Sequence, residues 1–153
     1  AISLLKLRGF TTSEFAKFRP GGSLGKQLYL KVSDVIQNNK KPSITSGSNI
    51  RSVILSITSG MLGATAVCND ENNILGIITD GDIRRMLERH ADVSHLTAGD
   101  IMSKSPKSIS PSELAVNALS VLRENKITQL AVTEGNIYQG IIHLHDLVRE
   151  GVV

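Results

Sequence analysis

Gly76-Ile-Ile-Thr-Asp-Gly-Asp-Ile-Arg-Arg85 and Gly140-Ile-Ile-His-Leu-His-Asp-Leu-Val-Arg149 are two versions of one phrase, set 64 residues apart. Each begins as a short β-branched apolar run and passes into acidic residues followed by helically spaced apolar ones, which predicts a strand feeding directly into a helix. The repetition extends upstream, where Ser33-Asp34-Val35-Ile36 matches Gly99-Asp100-Ile101-Met102 at an offset of 66. A drift of two residues between the anchors is what variation in loop length produces, so the chain reads as one unit written twice.

Both halves pass through the same elements. Pro42 to Thr45 and Pro106 to Ile109 read as short extended pieces, each leading into a helix. Ser110-Pro111-Ser112-Glu113 puts a capping hydroxyl, a first-turn proline and a third-position glutamate in order, which predicts a helix start. The matching start in the first half falls near Ser48. Ala64 to Cys68 with Ile74 to Thr79, and Gln129 to Thr133 with Ile137 to Ile142, read as strand pairs joined by Asn/Asp/Gly-rich turns. A short amphipathic helix closes each half. The expected fold class is α+β, two pseudo-symmetric β-α-β-β-α units packed through their sheets, because either unit alone would leave an apolar sheet face bare. The expected divisions are residues 32–91 and 92–153. Residues 1–31 stand outside the repeat: their apolar clusters, and the capping box from Thr11 to Glu14, read as the end of another domain.

Charge and composition narrow the function classes. Residues 1–31 hold six basic side chains (Lys6, Arg8, Lys17, Arg19, Lys26, Lys31) against Glu14, whereas the remaining 122 hold 11 basic and 13 acidic. The body of the chain therefore offers no general positive field for a nucleic-acid backbone. Of the five aromatics only Tyr138 lies outside the first 31 residues, so a platform for stacking bases is also missing. No apolar run approaches the length of a membrane span and the amino end lacks a signal-peptide layout, so no membrane partner and a cytoplasmic location are expected. The single cysteine, Cys68, sits in an apolar run and reads as a buried small hydrophobe.

A doubled unit carrying G-x-x-[ST]-x-x-[DN] at its last strand-to-helix junction resembles the CBS domain, over residues 32 to 151. That resemblance implies a Bateman module, a tandem CBS pair that binds adenine nucleotides or related ligands between its halves. The phrases Gly9-Phe10, Phe15-Ala16 and Pro20-Gly21-Gly22-Ser23-Leu24-Gly25, with Thr79-Asp80-Gly81-Asp82-Ile83-Arg84-Arg85, resemble arabinose-5-phosphate isomerases of the KpsF/GutQ type. There a sugar isomerase (SIS) domain runs into a CBS pair. The resemblance implies a parent enzyme interconverting ribulose 5-phosphate and arabinose 5-phosphate for Kdo and lipopolysaccharide synthesis, with no catalysis by this stretch itself. Its implied partners are a nucleotide or nucleotide-sugar (AMP, ATP or CMP-Kdo), the SIS domain of the same polypeptide and further copies of the chain. No cofactor is expected. Arg19 stands where that family commonly has histidine, and arginine cannot shuttle a proton near neutral pH.

The candidate ligand residues are Thr79, Asp80, Asp82, Arg84, Arg85, His143, His145 and Asp146. Thr79 would end a strand with its hydroxyl at the cleft, and Asp82, in the first helical turn, would offer a carboxylate to vicinal ribose hydroxyls. The alternative is that Asp80 and Asp82 cap the helix and complement its dipole. Arg84 and Arg85 suit a phosphate or carboxylate, or else form a solvated helix face. In the second repeat His143 replaces the threonine, so that cleft is expected to take a different ligand or none. His143, His145 and Asp146 also admit a metal reading, against which histidines filling a polar groove is preferred. Gly21 to Gln27 fails as a P-loop, with only three residues between Gly21 and Gly25 and glutamine at the magnesium position. A purely structural, oligomerising role is the alternative to ligand sensing.

Overall fold

A computed structural model of the chain describes residue 25 and residues 28–153. The readings that fall on Thr11 to Glu14, Arg19 and most of Gly21 to Gln27 lie outside those residues. In chain order the elements are α1 (Val32–Ile36), β1 (Ser43–Ile44), α2 (Ile50–Gly60), β2 (Ala64–Cys68), β3 (Ile74–Thr79), α3 (Asp80–Arg89) and α4 (Ala98–Ile101). They continue with β4 (Ser103–Lys104), β5 (Ser108–Ile109), α5 (Ala115–Asn125), β6 (Gln129–Glu134), β7 (Ile137–His143) and α6 (Leu144–Arg149). The fold is the expected α/β mixture with two sheets, ordered β1-β2-β3-β4 and β5-β6-β7. In each, a parallel pair (β1 with β2, β5 with β6) adjoins an antiparallel hairpin. Among the described residues no helix is long and apolar enough to cross a membrane.

Alternation along the strands sorts side chains to two faces. Ala64, Ala66 and Cys68 of β2 and Ile77 of β3 share one apolar cluster with Ala131, Tyr138 and Ile141 of the second repeat. The intervening Val67 and Ile78 pack instead against Val53 and Ile57 of α2. β2 is buried at all five positions because both its faces are covered. Helix α2 supplies its cover through Ile50, Val53, Ile57 and Gly60, spaced as one face of a helix. It is bounded by Asn49, whose side chain accepts from the Ser52 N–H at 2.8 Å, and by Met61 in the left-handed region at φ 61°.

The opening helices are exchanged between the repeats. Val32, Val35 and Ile36 of α1 lie in the core of the second repeat, with Leu119, Leu122, Leu130, Ile142 and Leu147. Ala98 of α4 lies in the core of the first, where Ile101 and Met102 pack against the same cluster. Two glycines make room for this. A Cβ on Gly76 would meet Met102 Sδ at 2.7 Å and the Ser103 carbonyl at 2.8 Å, and one on Gly140 would meet Ile36 Cδ1 at 3.2 Å. The glycine that opens the repeated phrase is therefore the seat of the exchanged helix.

The same exchange moves one predicted boundary. Ser110 to Glu113 is a turn, with the Ser110 Oγ accepting from the Ser112 N–H at 3.2 Å, and α5 begins only at Ala115. The chain entering α1 pairs with this segment: Ala115 N–H donates to the Leu30 carbonyl at 2.7 Å and Val32 N–H to the Glu113 carbonyl at 2.9 Å. The first repeat does likewise, with Ala98 N–H donating to the Ser48 carbonyl at 2.8 Å.

Candidate functional site

Thr79 ends β3 and caps α3, which fixes the geometry of the first cleft. Its hydroxyl accepts from the Asp82 N–H at 3.3 Å and donates to Asp82 Oδ2 at 3.2 Å, and its own N–H donates to the same oxygen at 2.9 Å. This is a reciprocal capping box, the structural alternative weighed for Asp82, built at the mouth of a cavity. The other carboxylate oxygen, Oδ1, accepts from Arg85 Nη2 at 2.6 Å and from the Ser103 hydroxyl at 3.4 Å. Asp82 is 8% exposed, and four donors satisfy its two oxygens in a nearly dry place.

Thr79, Asp82 and Arg85 line a hollow of about 320 Å³ together with Ser103, Lys104 and Lys107 between the repeats and Gln129 of the second. Gln129 reaches back across the boundary to donate to the Leu62 carbonyl at 3.2 Å. Asp80 and Arg84 stand differently. Asp80 is exposed in the first turn, its N–H donating to the Gly63 carbonyl at 3.1 Å. Arg84 is exposed on α3 and does not line this hollow.

The second cleft repeats the plan at an offset of 64. His143, His145, Asp146 and Arg149 line a hollow of about 320 Å³ with Asn39 and Lys40, which follow α1, and with Leu62 of the first repeat. Asp146 is 3% exposed and accepts from the His143 N–H at 2.8 Å, the Asn39 amide at 2.9 Å and Arg149 at 3.1 Å. Here the helix is capped by an imidazole, His143 Nδ1 accepting from the His145 N–H at 2.9 Å. That nitrogen is thereby committed, and among the described residues no group of three His, Cys, Asp or Glu side chains converges as metal ligands. Burial, and then the neighbouring His145, push the His143 pKa down, with Asp146 opposing.

Several lining residues carried no individual signal in the sequence. Ser103, Lys104, Lys107 and Gln129 reach the first cleft only because of the exchanged helix and the packing of the sheets. Arg149 and Asn39 were findable: each lies 64 residues from its counterpart, Arg85 or Ser103, within the span of the repeat.

The comparisons agree with this architecture. The family model for the CBS domain matches residues 32–89 and again 98–152. Over 154 aligned residues the chain is 39% identical to the arabinose 5-phosphate isomerase KdsD of Yersinia pestis and 40% identical to that of Escherichia coli K12. All of this chain is covered but only 47% of each of those proteins, so it spans about half the length of these relatives. Among solved structures, the CBS domain protein PAE2072 of Pyrobaculum aerophilum superposes with a TM-score of 0.69 at 17% identity, covering 77% of this chain and 90% of that one. Two matched repeats that together span most of the chain, and two pseudo-equivalent clefts, place the chain in the CBS-domain family, as a tandem pair.

Proposed function

We propose that the pair is a regulatory sensor, and that its first cleft binds a nucleotide or nucleotide-sugar. The observation that carries this is the Thr79–Asp82–Arg85 cluster opening on a hollow between the repeats that Lys104 and Lys107 also line. A phosphate would draw Arg85 away from Asp82, since guanidinium pairs phosphate bidentately. The freed carboxylate oxygen would then accept from ribose hydroxyls. PAE2072, which shares the fold, was solved in complex with AMP.

The similarity to arabinose 5-phosphate isomerases supports a parent enzyme of that kind, a cytoplasmic homo-oligomer whose SIS domain the pair would regulate. AMP and ATP suit the cleft by chemistry. CMP-Kdo suits it by pathway logic, as the activated end product of such an enzyme's pathway. Regulation requires that the ligand bind one arrangement of the paired repeats better than another.

Thermal melting of the 153-residue chain with AMP, ATP, CMP and CMP-Kdo, repeated on Asp82→Ala, tests the reading. A ligand at a hundred times its dissociation constant adds about 2.7 kcal/mol of stability. Asp82→Ala also removes a helix cap, so the readout is the ligand-dependent increment, with affinity expected to fall about ten- to a hundredfold. No shift with any of the four would sink the proposal. It would favour the structural reading, for which the groove of about 530 Å³ along α2, with Ile54 and Leu55 exposed, is the relevant observation.

A further inference from the structure

The two clefts are joined through the side chain of Gln129. This residue lines the first cleft, and its amide nitrogen donates to the Leu62 carbonyl at 3.2 Å and to the Gly63 carbonyl at 3.5 Å. Leu62 lines the second cleft, beside Gly60 and Met61. The Gly63 carbonyl also accepts from the Asp80 N–H at 3.1 Å, in the first turn of α3 that Thr79 caps. The partners fix the orientation of the amide: the two carbonyls can only accept, and the Thr128 hydroxyl donates to the amide oxygen at 2.9 Å.

The same line of bonds runs on into the second cleft. Gln129 is the register partner of His143 in the β6–β7 hairpin, and the Thr128 carbonyl accepts from the Leu144 N–H at 2.9 Å, in the first turn of α6 that His143 caps. In the first repeat the register partner of Thr79 is Ala64, whose methyl group cannot reach across. The link is therefore made once, from the second repeat.

One end of this line has two states. His143 Nδ1 accepts from the His145 N–H only while that nitrogen is unprotonated. The charged and titratable groups around it are His145, Asp146 and Arg149 of α6 and Lys40 after α1, while Gly60, Met61, Leu62 and Gln129 carry no charge. Losing the cap loosens the first turn of α6, and with it the Leu144–Thr128 bond next to Gln129. Coupling between sites requires such a two-state element.

We propose that Gln129 is the positioning residue that couples the clefts, so that loss of the His143 cap in the second weakens ligand binding in the first. By reciprocity, a ligand in the first cleft favours the capped form of the second. The effect on affinity rests on the nucleotide reading above, whereas the link between the two caps does not.

Amide resonances of the 153-residue chain, followed from pH 8 to pH 5, test the link without a ligand. The Asp80 amide is expected to shift in step with the His143 ring. That component is expected to vanish in His143→Thr and in Gln129→Ala, and to shrink in Thr128→Val, which leaves Gln129 in place. AMP affinity, read at the Thr79 amide, is expected to fall about fivefold more between those limits in the natural chain than in either His143→Thr or Gln129→Ala, at the low end of the usual range for coupled sites. The coupling is overturned if the Asp80 amide ignores His143, if it follows His143 undiminished in Gln129→Ala and Thr128→Val, or if AMP affinity responds to pH alike in the natural chain and His143→Thr. Failure of AMP to bind at either limit overturns the nucleotide reading alone, and the Asp80 amide then decides the coupling.

Discussion

His143 does with an imidazole what Thr79 does with a hydroxyl, and the exchange gives the second cleft a titratable cap. Its Nδ1 accepts from the His145 N–H, which requires that nitrogen to be unprotonated. Burial and the adjacent His145 hold its pKa below the ordinary 6.5, so the native state binds a proton less readily than the unfolded chain. The sign follows by linkage: the contribution is complete above the unfolded value and is lost as pH falls from 6.5 through the lower folded value. Thermal midpoints measured from pH 7 to pH 5 are expected to fall more steeply for the natural chain than for His143→Thr, which installs the first repeat's hydroxyl cap. The other three histidines are common to both proteins, so only the difference between the curves reports on His143. Parallel curves would show that this imidazole does not govern the cap.

At the scale of the element, the helix exchange decides what the sequence could and could not show. The strands and helices of each β-α-β-β-α unit are readable from periodicity and turn signals, whereas α1, α4 and β4 are not, and the recurrence of Thr79 with Asp82 as His143 with Asp146 is readable from the repeated phrase. Ser110-Pro111-Ser112-Glu113 was read as a helix start because its local chemistry is that of a cap. A non-local partner, the backbone of Leu30 and Val32, claims the segment instead and delays α5 to Ala115. Nothing in the spacing of Val32, Val35 and Ile36 tells which repeat they cover, since both offer apolar faces of similar size. Packing answers this, because Val32 is wholly buried in the second repeat's core. Val32→Ala is expected to cost about 2 kcal/mol, between the usual Ile→Val and Leu→Ala ranges. Hydrogen exchange on that variant is expected to quicken first in α5, β6 and β7 while β2 and β3 hold. Early loss in β2 and β3 would mean that α1 does not serve the second repeat.

For the whole molecule, the exchange and the sheet interface tie the repeats into one unit that is expected to unfold as one. Tyr138 sits at the centre of that tie: it packs in the cluster shared by both sheets and donates its hydroxyl to the Pro42 carbonyl at 2.8 Å. It is 5% exposed, and burial, followed by the neighbouring Cys68, pushes its phenol pKa well above the ordinary 10.0. The unfolded chain therefore releases this proton above pH 10 while the native one keeps it, so the associated stability is present below pH 10 and is lost as pH rises beyond it. Tyr138→Phe keeps the ring and removes only the hydroxyl. The Pro42 carbonyl retains the Ala66 N–H at 3.1 Å, so the cost at pH 7 is about 1 kcal/mol, that of one hydrogen bond. Urea unfolding of both proteins at pH 7 and near pH 11 is expected to show the natural chain ahead at the lower pH and the gap closing at the higher. Every other side chain is common to both proteins, so a gap that stays constant across that range would mean the hydroxyl contributes nothing to holding the repeats together.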